Sequence, residues 1–161
     1  MKRHIPNILT FCNLISGLGS LSLSLQQEYT WAALLIVFAT IVDKLDGAAA
    51  RKLGTESPIG KYLDSLSDLV SFGIAPFVFV IDQHMTPILL LTGILFVCAG
   101  TYRLARFMVK ENPFFTGLPI TLNGLLFPLL YFLHWNTEQV FTIAFIGMSM
   151  GMVSRIKIPK L

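Results

Sequence analysis

The sequence predicts an all-α integral membrane protein: a single domain over residues 1–161, with six transmembrane helices and both termini on the cytoplasmic side. Three observations carry this. Of the 161 residues, 54% are hydrophobic and 13% charged, whereas a soluble domain of this size carries roughly 25% charged residues. Mean hydropathy is +0.70. The apolar residues fall into runs near the 20 that a helix needs to cross a bilayer, separated by short polar connectors.

The spans are expected at Pro6–Leu25, Thr30–Arg51, Ile59–Ile81, Thr86–Met108, Phe115–Leu133 and Glu138–Val153. The first follows a short basic leader, MKRHIPN, without a clear small-residue cleavage site, so it reads as a retained span. The second and third are joined by Lys52–Pro58, whose Gly54 and Pro58 turn the chain back. Tight connectors at Gln26–Tyr29, Asp82–His84 and His134–Thr137 make the neighbouring helices antiparallel. The sixth span is short and ends in a basic anchor. With six spans, all twelve Lys and Arg fall at or near one side, and basic residues are retained on the cytoplasmic side. Trp31 and Trp135 suit the aromatic belt of the opposite interface. The net charge of +3 is then a topology signal and a contact for anionic lipid. No basic patch interleaved with aromatics points to nucleic acid.

Cys12 and Cys98 lie in apolar segments and read as small packing residues, with no CxxC. Gly17 and Gly19 in the first span, and Gly147-x3-Gly151 in the sixth, allow close helix approach, within the chain or at the seam of a homodimer.

The chemistry is concentrated between residues 43 and 68. There D-x2-D-G-x2-A-R-x8-G-x3-D-x3-D places Asp43, Asp46, Asp64 and Asp68 among apolar spans. Carboxylates at such depth are costly and call for a cation or a function. On a helix Asp43, Asp46, Gly47 and Ala50 share one face, while Gly60, Asp64 and Asp68 share a face of the next. Antiparallel packing brings the four acids together near the inner interface. Their oxygens suit hard cations, Mg²⁺, Mn²⁺ or Ca²⁺. Four acids have room for two such ions about 4 Å apart, the spacing that supports displacement at phosphorus. Gly47, Ala50 and Gly60 leave a trough for a flat ring or a diphosphate, and Arg51 is placed for a phosphate or for one of the aspartates. The plainer alternative pairs the acids with Lys44, Arg51, Lys52 and Lys61 as a solvated cluster; the full eight-residue pattern argues against it. A cation channel would instead spread its acids across the bilayer depth.

The stretch from Asp43 to Asp68 resembles the signature of the CDP-alcohol phosphatidyltransferases at every position. That resemblance implies a six-helix membrane enzyme that exchanges the CMP of a CDP-lipid for an alcohol. It further implies that Asp43, Asp46, Asp64 and Asp68 ligate two divalent ions, with Asp68 also taking the hydroxyl proton. Gly47, Ala50 and Gly60 would line the cytidine pocket, Arg51 would position the nucleotide, and Asn7 and Thr10 at the entry of the first span would touch it.

Further along, DSLSDLVSFGIAP (64–76), RLARF (103–107), FTGLPI (115–120) and the closing MVSRIKIPK resemble the membrane-integrated phosphatidylserine synthases. The implied donor is CDP-diacylglycerol or its isoprenoid counterpart CDP-archaeol, and the implied acceptor is L-serine. Met108 and Thr121 depart from that pattern. Arg103 and Arg106 are candidate grips for the serine carboxylate, or positive-inside anchors. Ser67 and Ser71 are candidate substrate contacts, or packing hydroxyls. Glycerol 3-phosphate or inositol phosphate is the alternative acceptor.

Overall fold

The computed structural model describes residues 5–54, 57–109, 115–154 and 157–158, with side chains for all of these except 5–7, 50, 51, 53, 115, 116, 157 and 158. The fold is helical: α1 (Ile5–Leu25), α2 (Tyr29–Leu53), α3 (Pro58–Asp68), a π-helical turn (Leu69–Ile74), α4 (Ala75–Gln83), α5 (Pro87–Val109), α6 (Asn123–Phe132) and α7 (Glu138–Val153). Two two-residue strands, β1 (Phe115–Thr116) and β2 (Lys157–Ile158), pair antiparallel.

Three of these stretches are long and apolar enough to cross a membrane: Ile8–Leu25, the continuous run Pro58–Gln83, and Pro87–Val109. At 25 residues α2 has the length, but Asp43, Lys44 and Asp46 interrupt its apolar run. The surface is that of a lipid-facing bundle. Ile15, Leu25, Ile143 and Met150 are each 65–71% exposed, while Asn13, Ser20, Ser24, Ser71 and Asn123 are at most 1% exposed. So many large apolar groups on the outside depart from the pattern of a water-soluble domain.

Helix ends follow local chemistry. Gly54, at φ 62°, closes α2 in the left-handed conformation that glycine adopts without strain. Ser57 then caps α3, accepting from the Gly60 N–H at 3.0 Å, with Pro58 in the first turn. At the opposite end two non-glycine residues take the same left-handed role: Gln27 (φ 63°) after α1 and His134 (φ 57°) after α6. Each closes a Schellman pair, with Glu28 N–H on the Leu23 carbonyl (2.9 Å) and Trp135 N–H on that of Leu130 (2.9 Å).

The region expected as a fifth span, Phe115–Leu133, is a helix only from Asn123, preceded by one 3₁₀ turn at Ile120–Leu122. Gly117, at φ 84°, and Pro119 keep the segment ahead of it from being helical. That segment docks on the end of α7, with the Leu118 N–H on the Gly151 carbonyl at 3.0 Å. The fit is close: a Cβ on Gly117 would stand 2.4 Å from the Met152 carbonyl oxygen, and one on Gly151 2.3 Å from Leu118.

The remaining small residues are mostly spent within the chain. A Cβ on Gly17 would meet Ser71 and one on Gly19 would meet Leu35, whereas Gly147 faces open space. Cys12 is half-buried and Cys98 exposed, both as free thiols.

The core is aromatic. Phe96, Phe127 and Phe145 stack with centroids 5.0–5.5 Å apart, and Phe79 lies edge-on to Tyr29 and Tyr131. At the end remote from the acids, Tyr29 donates to Asp82 at 2.9 Å and Thr86 to Glu138 at 2.9 Å. The bundle packs α1 along α2 on one side and against α3, the π turn and α4 on the other, while α5 pairs with α7. Direct contact between α2 and α3 is slight, so α1 bridges them.

Candidate active site

Three of the four aspartates converge. Asp43 on α2 and Asp64 and Asp68 on α3 each offer a carboxylate oxygen, and these oxygens lie within 4.8 Å of one another. Asp43 and Asp68 are close enough to share a hydrogen bond. Carboxylates held so near one another need a proton or a cation between them. The donor set is all oxygen, which fits a hard divalent ion rather than zinc. The arrangement therefore fits the metal centre expected from the spacing.

Asp46 stands one turn further along α2, within electrostatic range of Asp43 and Asp64 but outside the tight group. It is 5% exposed and accepts a short hydrogen bond from the Thr10 hydroxyl. Thr10, expected at the nucleotide, thus also holds an acid. Of the lysines named as alternative partners, Lys44 is exposed but within electrostatic range of Asp43, Lys52 is exposed, and the Lys61 ammonium lies 4.9 Å over the Phe107 ring. Gly47 and Gly60 are half-buried beside the acids on their helices. The side chains of Asn7, Ala50 and Arg51 lie outside the described residues.

Sequence reasoning missed Asn13. Its Nδ2 donates to Asp68 Oδ1 at 3.1 Å, and the residue is 1% exposed. The available signal was an amide in an apolar helix, three residues from Thr10 and so on the same face. A second contact fixes its place: the Ser71 hydroxyl donates to the Asn13 backbone carbonyl at 3.0 Å. Ser71 is fully buried against the notch left by Gly17, so its hydroxyl serves the joint between α1 and the π turn. Ser67 is buried at 3% exposure.

The π turn immediately after Asp68 has an identifiable cause. Pro76 brings no N–H, so the carbonyl of Phe72 lacks its α-helical donor. Asn123 at the start of α6 supplies one at 3.0 Å from its side-chain amide. Asn123 is fully buried and ties α6 to the stretch that carries the acids.

The two candidate arginines differ. Arg103 is 7% exposed, has no partner for its Nε among the described residues, and lies within electrostatic range of Asp68. Arg106 is half-buried and donates to the Ser154 carbonyl at 3.1 Å and that of Val153 at 3.4 Å. It thereby serves the last carbonyls of α7.

An oxygen-rich group of acids among apolar helices, with a buried guanidinium beside it, is an arrangement able to hold a hard divalent ion in a membrane protein. Comparison with known proteins makes the class specific. A family model described as CDP-alcohol phosphatidyltransferase matches residues 3–154, and the chain belongs to that family. A Methanocaldococcus jannaschii protein named CDP-diacylglycerol--serine O-phosphatidyltransferase is 38% identical over 157 residues, covering 97% of this chain and 74% of that protein. A Bacillus subtilis protein of the same name is 34% identical over 161 residues, covering 97% and 90%. A Methanothermobacter thermautotrophicus archaetidylserine synthase is 35% identical over 162 residues, covering 97% and 70%.

Proposed function

We propose that the protein transfers the phosphatidyl group of CDP-diacylglycerol, or of CDP-archaeol, to the hydroxyl of L-serine, releasing CMP. The observation that carries this is the joint presence of the Asp43–Asp64–Asp68 group and the buried Arg103 beside it. The relatives' names support serine as acceptor. They include both diacylglycerol and archaetidyl lipids, as expected of a reaction confined to the headgroup.

In the reaction the serine hydroxyl oxygen attacks the phosphorus that bears the lipid. An O–P bond forms there, the bond to CMP breaks, and CMP departs with its electrons. Asp68 takes the hydroxyl proton as general base. Asp43, Asp46, Asp64 and Asp68 would hold two Mg²⁺ or Mn²⁺ ions, which supply charge neutralisation for the diphosphate and the leaving phosphate. Thr10 keeps Asp46 turned toward the site. Gly47, Ala50 and Gly60 leave room for the cytidine, with Arg51 and Asn7 on the nucleotide. Arg103 grips the serine carboxylate, while Arg106, the other candidate, serves as an anchor at the end of α7. Ser67 lines the acceptor side, while the Ser71 hydroxyl, expected there too, stays with the joint between α1 and the π turn.

Six spans, with both termini and the acids at the cytoplasmic face of the cell membrane, fit the one-sided lysines and arginines. The short α6 and α7 fit as spans only in a locally thin part of the bundle.

The test is transfer by detergent-solubilised protein, with labelled CDP-lipid and each alcohol offered in turn with Mg²⁺ or Mn²⁺. CMP release with L-serine is expected; release with glycerol 3-phosphate or inositol phosphate alone overturns the acceptor. Asp68→Asn should abolish turnover while CDP-lipid binding remains measurable, and retained turnover removes its role as base.

A further inference from the structure

The side chain of Asn13 is only half used. Its Nδ2 is committed to Asp68, whereas its Oδ1 is one of five buried side-chain atoms without a partner among the described residues. A buried acceptor left bare costs about 1–3 kcal/mol, so a donor is expected there in the working state. The position of that donor is constrained by covalent geometry. Oxygen and nitrogen of one amide share a carbon, so whatever donates to Oδ1 lies beside the Asp68 carboxylate. Arg103 Nε is another of the five, and it too lies near Asp68.

The geometry points to Asn13 as the residue that recognises the ammonium of the acceptor. This rests on the reading that L-serine is the acceptor and Asp68 the base. In serine the hydroxyl and the ammonium sit on adjacent carbons, and Asp68 and the Asn13 Oδ1 are likewise adjacent. With the hydroxyl on Asp68, the ammonium reaches Oδ1 and the carboxylate is left for Arg103. The amide orientation is fixed, because only its N–H₂ side can face a carboxylate. An oxygen is thereby presented to the cation. Asn13 acts on specificity through direct contact, and on rate by orienting Asp68.

The experiment is a cycle between enzyme and acceptor. Wild type and Asn13→Ala are assayed with L-serine and with 3-hydroxypropanoate, which keeps the hydroxyl and carboxylate and lacks the ammonium. Loss of Asp68 orientation lowers both acceptors equally and cancels. Loss of the ammonium contact lowers kcat/KM for serine roughly 10- to 100-fold more than for 3-hydroxypropanoate. Equal loss for the two acceptors overturns the assignment while leaving serine transfer intact. Failure of the wild type to use serine at all sinks the functional reading as well, and the two failures are thus distinct. Mn²⁺ binding by paramagnetic resonance and binding of CDP-lipid report that the variant is folded; if Ala does not fold, Asn13→Ser takes its place. Wild-type enzyme that uses both acceptors equally well overturns the proposal without any variant.

Discussion

The joint between α1 and the π turn is open to a single-atom test, Gly17→Ala. The added Cβ would stand 2.4 Å from Ser71 Oγ and 2.9 Å from Ser71 Cα. A rotamer change moves the hydroxyl but not the backbone atom. Carbon atoms pack at about 3.5–4.0 Å, so α1 and the π turn must separate by roughly 0.6–1 Å. Asn13 lies one turn earlier on the same face, and its 3.1 Å bond to Asp68 would stretch to roughly 4 Å, beyond hydrogen-bond range. Overpacking of this kind costs about 1–3 kcal/mol of stability. Displacement by about 1 Å at a reacting group lowers turnover roughly 100-fold. Thermal unfolding in detergent and CMP release with serine measure the two effects. The expected variant is folded, with a lowered Tm, a strongly reduced kcat and an affinity for CDP-lipid within about threefold of wild type. Gly147→Ala is the control, because nothing lies within 4 Å of its Cβ. A folded Gly17→Ala protein with wild-type kcat refutes the claim that this contact sets Asp68.

Other substitutions test separate parts of the structure. Arg103→Lys should raise the KM for serine more than that for CDP-lipid, since an ammonium loses the two-point grip on a carboxylate; equal changes make Arg103 a structural cation. Arg106→Ala should cost about 1 kcal/mol by freeing the last carbonyls of α7, read as a lower Tm with little change in either KM. Gly117→Ala should lower the Tm strongly, because a Cβ would meet the Met152 carbonyl and the positive φ disfavours alanine. Gln27→Gly should raise stability by about 1 kcal/mol, since Gln27 is exposed and holds a left-handed conformation that glycine takes freely.

Much of the site was legible because helical periodicity places residues on faces without further information. The offsets within Asp43–Asp68 put three of the acids together, Gly54 and Pro58 marked the hairpin, and α7 runs over the residues that hydropathy marked out. Periodicity does not say where a third helix approaches. The acids of α2 and α3 do meet directly, but α1 packs against both helices and supplies Thr10 and Asn13 to them. Nor does hydropathy reveal dihedral angles. The run from Phe115 is apolar enough for a span, yet Gly117 at positive φ and Pro119 make its start a docked turn. Arg103 and Arg106 look alike in the sequence, three residues apart, and only the end of α7 distinguishes them. Asn123 could have been suspected from Pro76, which leaves a carbonyl in need of a donor, but not from its own surroundings.

Because one helix carries both the hydroxyl that steadies Asp46 and the amide that steadies Asp68, the tilt of α1 acts as a single adjustment on two catalytic parts. Tilt responds to the match between a helix and the hydrocarbon around it. The enzyme's rate in vesicles of graded chain length should then pass through an optimum, and a flat profile would separate the tilt of α1 from turnover.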